Sequence, residues 1–243
     1  MPRGHPDYGN FGYENAFNLD TQDQSFVSEY GIVPITNAGR VYQADFFRNG
    51  FDRWVPTFGN GAIAPGLYSK AGRKLFYPYS LRLSPQVNGG EAVISQRVYT
   101  NIFSKQGFEY IWIPDANHGN LDLLFTINVA GGKRYDYYYG YDIVEGAWYT
   151  GSGGTKAYFL YPDTAGAYQQ LQVRCKFVLD VPGILFDKFY IGDATFDLSS
   201  IAPTVVNSTF TGLAQVFIYA NGESAVLKED IYIAGFIWTV DEP

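Results

Sequence analysis

Histidine and cysteine are nearly missing from this chain, with two His and one Cys in 243 residues. A single cysteine allows no intramolecular disulfide framework. His5 and His118 lie far apart in sequence, so a histidine-based triad or a zinc site is short of ligands. The Walker loop, HExxH, CxxC and GxSxG patterns are absent, as is a GxGxxG after a strand. No catalytic residue is assigned, and neither a metal nor another cofactor is expected. Charge is scarce too: 17% of residues are charged, against about 25% in an average domain. Net charge is −7, and no run of Lys or Arg occurs, which argues against nucleic acid and against an anionic membrane surface. No apolar run reaches the length of a transmembrane helix. The first residues lack the apolar core of a secretory signal, so synthesis in the cytoplasm without a signal peptide is expected. Helical periodicity is missing throughout.

What remains is aromatic and alternating. There are 21 Tyr, 19 Phe and 27 Gly, and aromatics reach 18%. Short runs of period two, punctuated by Gly, Pro, Asn and Asp, read as strands and turns. They include 41–47, 79–83, 91–103, 107–113, 155–161, 170–180, the hairpin 187–198, 214–220 and 228–240. Residues 203–213 read as a loop. In 170–180, Leu171, Val173, Cys175, Phe177 and Leu179 are expected inside. Gln172, Arg174, Lys176 and Asp180 are expected outside. Cys175 then reads as a buried free thiol. The predicted fold is all-β: an antiparallel β-sandwich (jelly roll) over residues 41–243, with an extended N-terminal arm over 1–40. The arm is rich in Asn, Asp, Gln and Gly. Its isolated aromatics, Tyr8, Phe11, Tyr13, Phe17, Phe26 and Tyr30, suggest docking on its own domain or on a neighbouring subunit.

The hairpin from Leu121 to Trp148 carries the candidate site. Leu121, Leu123, Phe125, Ile127 and Val129 alternate with Asp122, Leu124, Thr126 and Asn128. Gly131-Gly132 reads as a two-residue turn. The return strand puts Tyr135, Tyr137, Tyr139 and Tyr141 on one face, and Arg134, Asp136, Tyr138 and Asp142 on the other. A two-residue turn pairs Asn128 with Tyr135, Thr126 with Tyr137, Leu124 with Tyr139 and Asp122 with Tyr141. Paired residues point to the same side. The four tyrosines, with Asn128 and Trp148, then form a semi-polar face open to a ligand or a subunit. The competing expectation is plain aromatic packing in a sheet layer. One residue more in the loop would exchange every partner.

Several weak motifs resemble the concanavalin A-like and carbohydrate-binding-module jelly rolls. They are Asp45-Phe46-Phe47, Asn49-Gly50 and Trp54, then Tyr79 to Leu83, then Phe177 to Asp180 and Phe189 to Ser199. The opening Arg3 to Tyr8 is similar to the leader of certain virion-associated proteins of phages and prophages. Such modules often bind a structural calcium through an acid of the first strand and another of the last. Here the last-strand positions read Tyr232-Ile233-Ala234-Gly235-Phe236, and Asp45 alone supplies too few oxygens.

The resemblance implies a non-enzymatic virion protein, a capsid decoration or a fibre or receptor-binding head, located in the virion. Expected partners are further copies of the chain, or capsid or tail subunits, reached through the arm. Carbohydrate is a candidate ligand. One alternative is a carbohydrate-binding module with no virion attached. Another is a glucanase- or lyase-like enzyme, disfavoured because glycoside hydrolysis needs two placed carboxylates. No ExDxxE run occurs, and Lys228-Glu229-Asp230 reads as the polar start of a strand.

Overall fold

The computed structural model describes residues 40–47, 51–68, 80–86, 89–98, 104–114, 120–129, 131–151, 155–161, 173–191, 194–209, 214–222 and 230–243. The described residues form strands and turns, without an α-helix. The strands are β1 (Arg40–Asp45), β2 (Val55–Gly59), β3 (Ile63–Tyr68), β4 (Ser80–Ser84), β5 (Glu91–Val98), β6 (Gln106–Pro114), β7 (Asn120–Val129) and β8 (Lys133–Asp142). They continue as β9 (Ala147–Thr150), β10 (Ala157–Leu160), β11 (Val173–Asp180), β12 (Leu185–Ile191), β13 (Ala194–Asp197), β14 (Thr204–Asn207), β15 (Ala214–Asn221) and β16 (Ile231–Val240). The arm, His118 and Asn49-Gly50 lie outside the described residues.

Two eight-stranded antiparallel sheets make a sandwich. The first runs β13-β12-β11-β6-β16-β4-β3, with β1 also on β16. The second runs β10-β9-β8-β7-β15-β5-β2, with β14 also on β8. The segment 203–213 thus contributes a strand where a loop was expected: Thr204 to Asn207 pair with Asp136 to Lys133. A polar Thr/Ser/Asn composition hid a short edge strand whose hydrogen bonds come from its neighbour.

Alternation explains the core. Leu123, Phe125, Phe108, Phe177, Ile218, Phe236 and Trp238 are buried in one cluster between the sheets. Phe125 lies 4.9 Å from Phe108 and 5.8 Å from Trp238, ring centre to ring centre. Gln43 reaches across the sandwich to Gln96 at 2.7 Å, so a polar pair inside the layer is matched. Asp45 has a structural task. Its Oδ1 accepts from the Phe47 backbone and its Oδ2 from Trp54 Nε1, both at 2.8 Å, anchoring the chain that leaves β1. Burial pushes its carboxyl up, partly offset by those two bonds and by Arg53.

The hairpin register differs from the two-residue expectation. Val129 pairs with Lys133, leaving three residues, 130–132, in the loop. Gly131 and Gly132 both take positive φ, 92° and 74°, which glycine adopts without a Cβ clash. Tyr135 therefore pairs with Ile127, Tyr137 with Phe125, Tyr139 with Leu123 and Tyr141 with Leu121. The tyrosines share the apolar side of β7. Tyr137 and Tyr139 are 0% exposed, Tyr141 is 3% and Trp148 is 0%. Tyr135 is half-buried against the same cluster. Tyr139 stacks on Phe177 at 3.9 Å, and its hydroxyl is 2.8 Å from that of Tyr110. The proposed ligand face of Tyr135, Tyr137, Tyr139, Tyr141 and Trp148 is core packing. Asn128 lies on the opposite side of the sheet, paired with Arg134 and bonded to Ser208 Oγ at 2.7 Å. The physical reason is cost. The shorter loop would turn Arg134 and Asp136 towards the core, where charges are expensive.

A second expectation is corrected on β11. Lys176, expected in water, is fully buried on the outer side of the first sheet, with its Nζ 2.6 Å from Glu242 Oε1. Thr239 Oγ1 also donates to that oxygen. The C-terminal residues fold back over the strand and supply the counter-charge. Cys175 is buried as expected, and burial pushes its thiol well up.

Candidate binding face

The same register that buries the odd tyrosines turns the even residues of β8 outward. One ladder row crosses the second sheet through Tyr158, Tyr149, Gly140, Asp122, Tyr219, Val93 and Thr57. The next row holds Tyr138, Leu124, Phe217 and Ser95. All of these side chains stand on one side of the sheet, because cross-strand partners share a face.

Six rings on this side follow one another. Tyr161, Tyr158, Tyr149, Tyr138, Tyr219 and Phe217 have successive centroid separations of 6.1, 5.9, 6.5, 6.4 and 5.6 Å. Tyr138, Tyr158, Tyr219 and Phe217 are half-buried, Tyr161 is exposed and Tyr149, between them, is fully buried. The result is an aromatic ribbon that runs across the strands and is partly open to solvent.

Carboxylates and amides punctuate the ribbon, each held by named donors. Asp122 is buried and accepts from the Tyr149 hydroxyl, from Asn221 Nδ2 and, at 3.2 Å, from the Tyr138 hydroxyl. Burial pushes its carboxyl up against the opposing pull of those bonds and of Lys156. Gly140 makes room for it: a Cβ there would lie 2.9 Å from Asp122 Oδ1 and closer still to the Leu121 carbonyl. Asp142 accepts from Lys156 Nζ at 2.6 Å and from the Tyr158 hydroxyl at 3.0 Å. Burial raises the Asp142 carboxyl, but the Lys156, Glu145 and Tyr158 bonds outweigh it and leave it below the usual range. Lys156 also sits 4.3 Å from the centre of the Tyr149 ring, a cation–π contact. Asp136 holds Arg134 through two parallel bonds, 2.6 and 2.7 Å. The Tyr158 hydroxyl is pushed up to about 12, by burial and by Asp142 beside it.

Flat apolar ring faces with hydroxyls, amides and carboxylates between them match a polyhydroxylated ligand. C–H faces lie on rings while hydroxyls meet polar groups. Of the sequence-based candidates, only Asn128 is on this side, at its far end. Asp122, Tyr138, Tyr149, Tyr158, Phe217, Tyr219 and Asn221 were not picked out as a ligand set. A parity signal was available, because Tyr138 shares its parity with Asp136 and Asp142, and Phe217 with Tyr219. Among the described residues, no group of three His, Cys, Asp or Glu is placed to hold a metal ion.

No family model matches the sequence, and no curated protein matches it. Solved structures match in shape. The carbohydrate esterase of Shiga toxin-encoding bacteriophage phi24B aligns with a TM-score of 0.53 at 10% identity, over 82% of this chain and 97% of the esterase. Lectin I-B4 from Griffonia simplicifolia, in its metal-free form, aligns with a TM-score of 0.51 at 8% identity, over 80% of this chain and 96% of the lectin. A sialidase aligns with a TM-score of 0.51 at 10% identity, over 84% of this chain but only 18% of the sialidase. At these identities the likeness is one of fold, and the fold is the lectin-like jelly-roll sandwich that the sequence resemblance implied.

Proposed function

We propose that the chain is a non-enzymatic glycan-binding protein of a phage or prophage virion, and that the outer side of the second sheet is its glycan face. The observation that carries the binding reading is the aromatic ribbon from Tyr161 to Phe217, with Asp122, Asn221 and Asp142 set among its rings. A ribbon with partly open rings on either side of the buried Tyr149 suits an extended oligosaccharide better than a single terminal sugar. The non-enzymatic reading is supported by the carboxylates: Asp122, Asp136 and Asp142 are each engaged by partners, and none is presented as one of an acid–base pair. The virion reading rests on the leader-like residues 3–8, and residues 1–40 are proposed as the anchor to neighbouring copies or to capsid or tail subunits.

A glycan array with the full chain tests the binding reading. Binding of at least one oligosaccharide class is expected. The double substitution Phe217→Ala and Tyr219→Ala should weaken it by about tenfold or more, the equivalent of losing one or two aromatic contacts. Trp148→Phe, in the core, should leave affinity unchanged. An array with no hit, or a hit insensitive to the Phe217/Tyr219 change, defeats the proposal. Removing residues 1–38 should abolish self-association and spare glycan binding. Continued assembly without them would remove the anchoring role.

A further inference from the structure

The ribbon has one buried acid at its centre, and that acid touches its rings. Asp122 pairs with Gly140 on one side and Tyr219 on the other, in the middle of the row. Its two oxygens receive three donors: the Tyr149 hydroxyl and, on the other oxygen, the Tyr138 hydroxyl and Asn221 Nδ2. Tyr138 is the ring next to both Tyr149 and Tyr219, and it is partly open to solvent. A carboxylate accepts at both oxygens and donates at neither. A protonated carboxyl has one O–H to place: the Asn221 amide nitrogen cannot accept it, a tyrosine hydroxyl that accepts it stops donating there, and the bonds that remain lose their charge assistance.

We propose that Asp122 is the positioning residue of the glycan face: its carboxylate ties Tyr138 and Tyr149 into a fixed platform, and one proton on it loosens Tyr138. This deepens the glycan reading of the same face and rests on it for the consequence in binding. Tyr138 is the ring loosened because its bond is a long one, 3.2 Å, and its oxygen is shared with Asn221. The titratable and charged groups facing Asp122 are Tyr138 from β8, Tyr149 from β9, Tyr219 from β15 and Lys156 ahead of β10. Around these stand Glu91, Asp136, Arg134 and Asp142. Burial is the largest influence on Asp122 and favours its neutral form, so the proton arrives above the ordinary carboxylate range.

The experiment is a pH series on the full chain carrying carbon-13-labelled tyrosine, phenylalanine and aspartate, in the wild type, Asp122→Asn and Tyr138→Phe. In the wild type, the Tyr138 ring signal should move in one step with the carboxyl signal of Asp122. In Asp122→Asn it should sit at the low-pH position throughout, with no step. Tyr138→Phe keeps the ring and the fold, and covers the case in which Asp122→Asn does not fold: the Tyr149 signal should still step while the ring at 138 does not. A Tyr138 signal that is the same in wild type and Asp122→Asn, or a step that persists in Asp122→Asn, overturns the proposal without any ligand. Titration with glucose- and mannose-based hexasaccharides separates the two readings. Wild-type affinity should fall by about tenfold as the ring steps, with Asp122→Asn weak and flat over that range. Binding that is equal in both proteins at every pH overturns the positioning role. Absence of binding in the wild type counts against the glycan reading, while the ring signals still decide the tether.

Discussion

The two sides of β8 are built from the same residue type and do opposite things. Tyr137, Tyr139 and Tyr141 face the first sheet and are sealed between Phe125, Phe177, Phe186 and Trp148. Tyr138, one position away, stands on the other side with a hydroxyl on Asp122 and beside Tyr219, which reaches solvent. A tyrosine-rich strand is therefore not in itself a binding strand. Inside, the ring contributes by area and close packing. Outside, it contributes a flat face and a hydroxyl that a neighbouring acid can aim. The difference lies in the loop of residues 130–132, whose length sets the parity of the whole strand.

The most disruptive test of that contrast is to remove one loop residue. Deleting Gly131 forces either the slipped register, with Arg134 and Asp136 turned inward, or a strained connection. Loss of the cooperative thermal transition is expected, and a variant that melts like the wild type would show that the loop does not set parity. Next in size is a matched pair of truncations. Tyr139→Ala, in the core, should cost about 3–5 kcal/mol in chemical denaturation. Tyr138→Ala should cost about 1 kcal/mol, one hydrogen bond's worth, while weakening glycan binding. Equal costs for the two would erase the distinction between the sides.

The smallest effects, and the sharpest in sign, come from pH. Asp122 has its carboxyl raised, so its contribution to stability is fully present below the ordinary carboxylate value and is lost as pH rises through the raised one. Asp142 has its carboxyl lowered, so its contribution is present above the ordinary value and is lost as pH falls through the lowered one. In denaturation midpoints measured against pH, Asp122→Asn should flatten the loss on the rising side. Asp142→Asn should flatten the loss on the acid side. Slopes changed in the same direction by both would show that the two acids do not sit in the opposed environments described.

Much of this was legible in the chain. The period of two located β6, β7, β8 and β15 within a residue or two, because alternation needs only local information. The short edge strand β14 was missed because its residues carry no alternating apolar signal; it exists through its pairing with β8. Lys176 was placed in water because a lysine on an outward position usually is. Its burial depends on Glu242, more than sixty residues along the chain and invisible to any local pattern. The ligand set failed as a set: five of its six members are interior or packed on the interior, and all five moved together with one residue of register.

By itself the sequence determined that the chain is an all-β sandwich, where most of its strands lie, and that β8 has one tyrosine face and one mixed face. Each of these follows from residue types two apart on a pleated strand. Tertiary structure alone decided which face turned inward. The two parities differ locally by a single loop residue, and glycines at 131 and 132 accept the turn without strain. The choice was made across the sandwich, where aromatic rings could fill the space between the sheets and Arg134 and Asp136 could not be left without water.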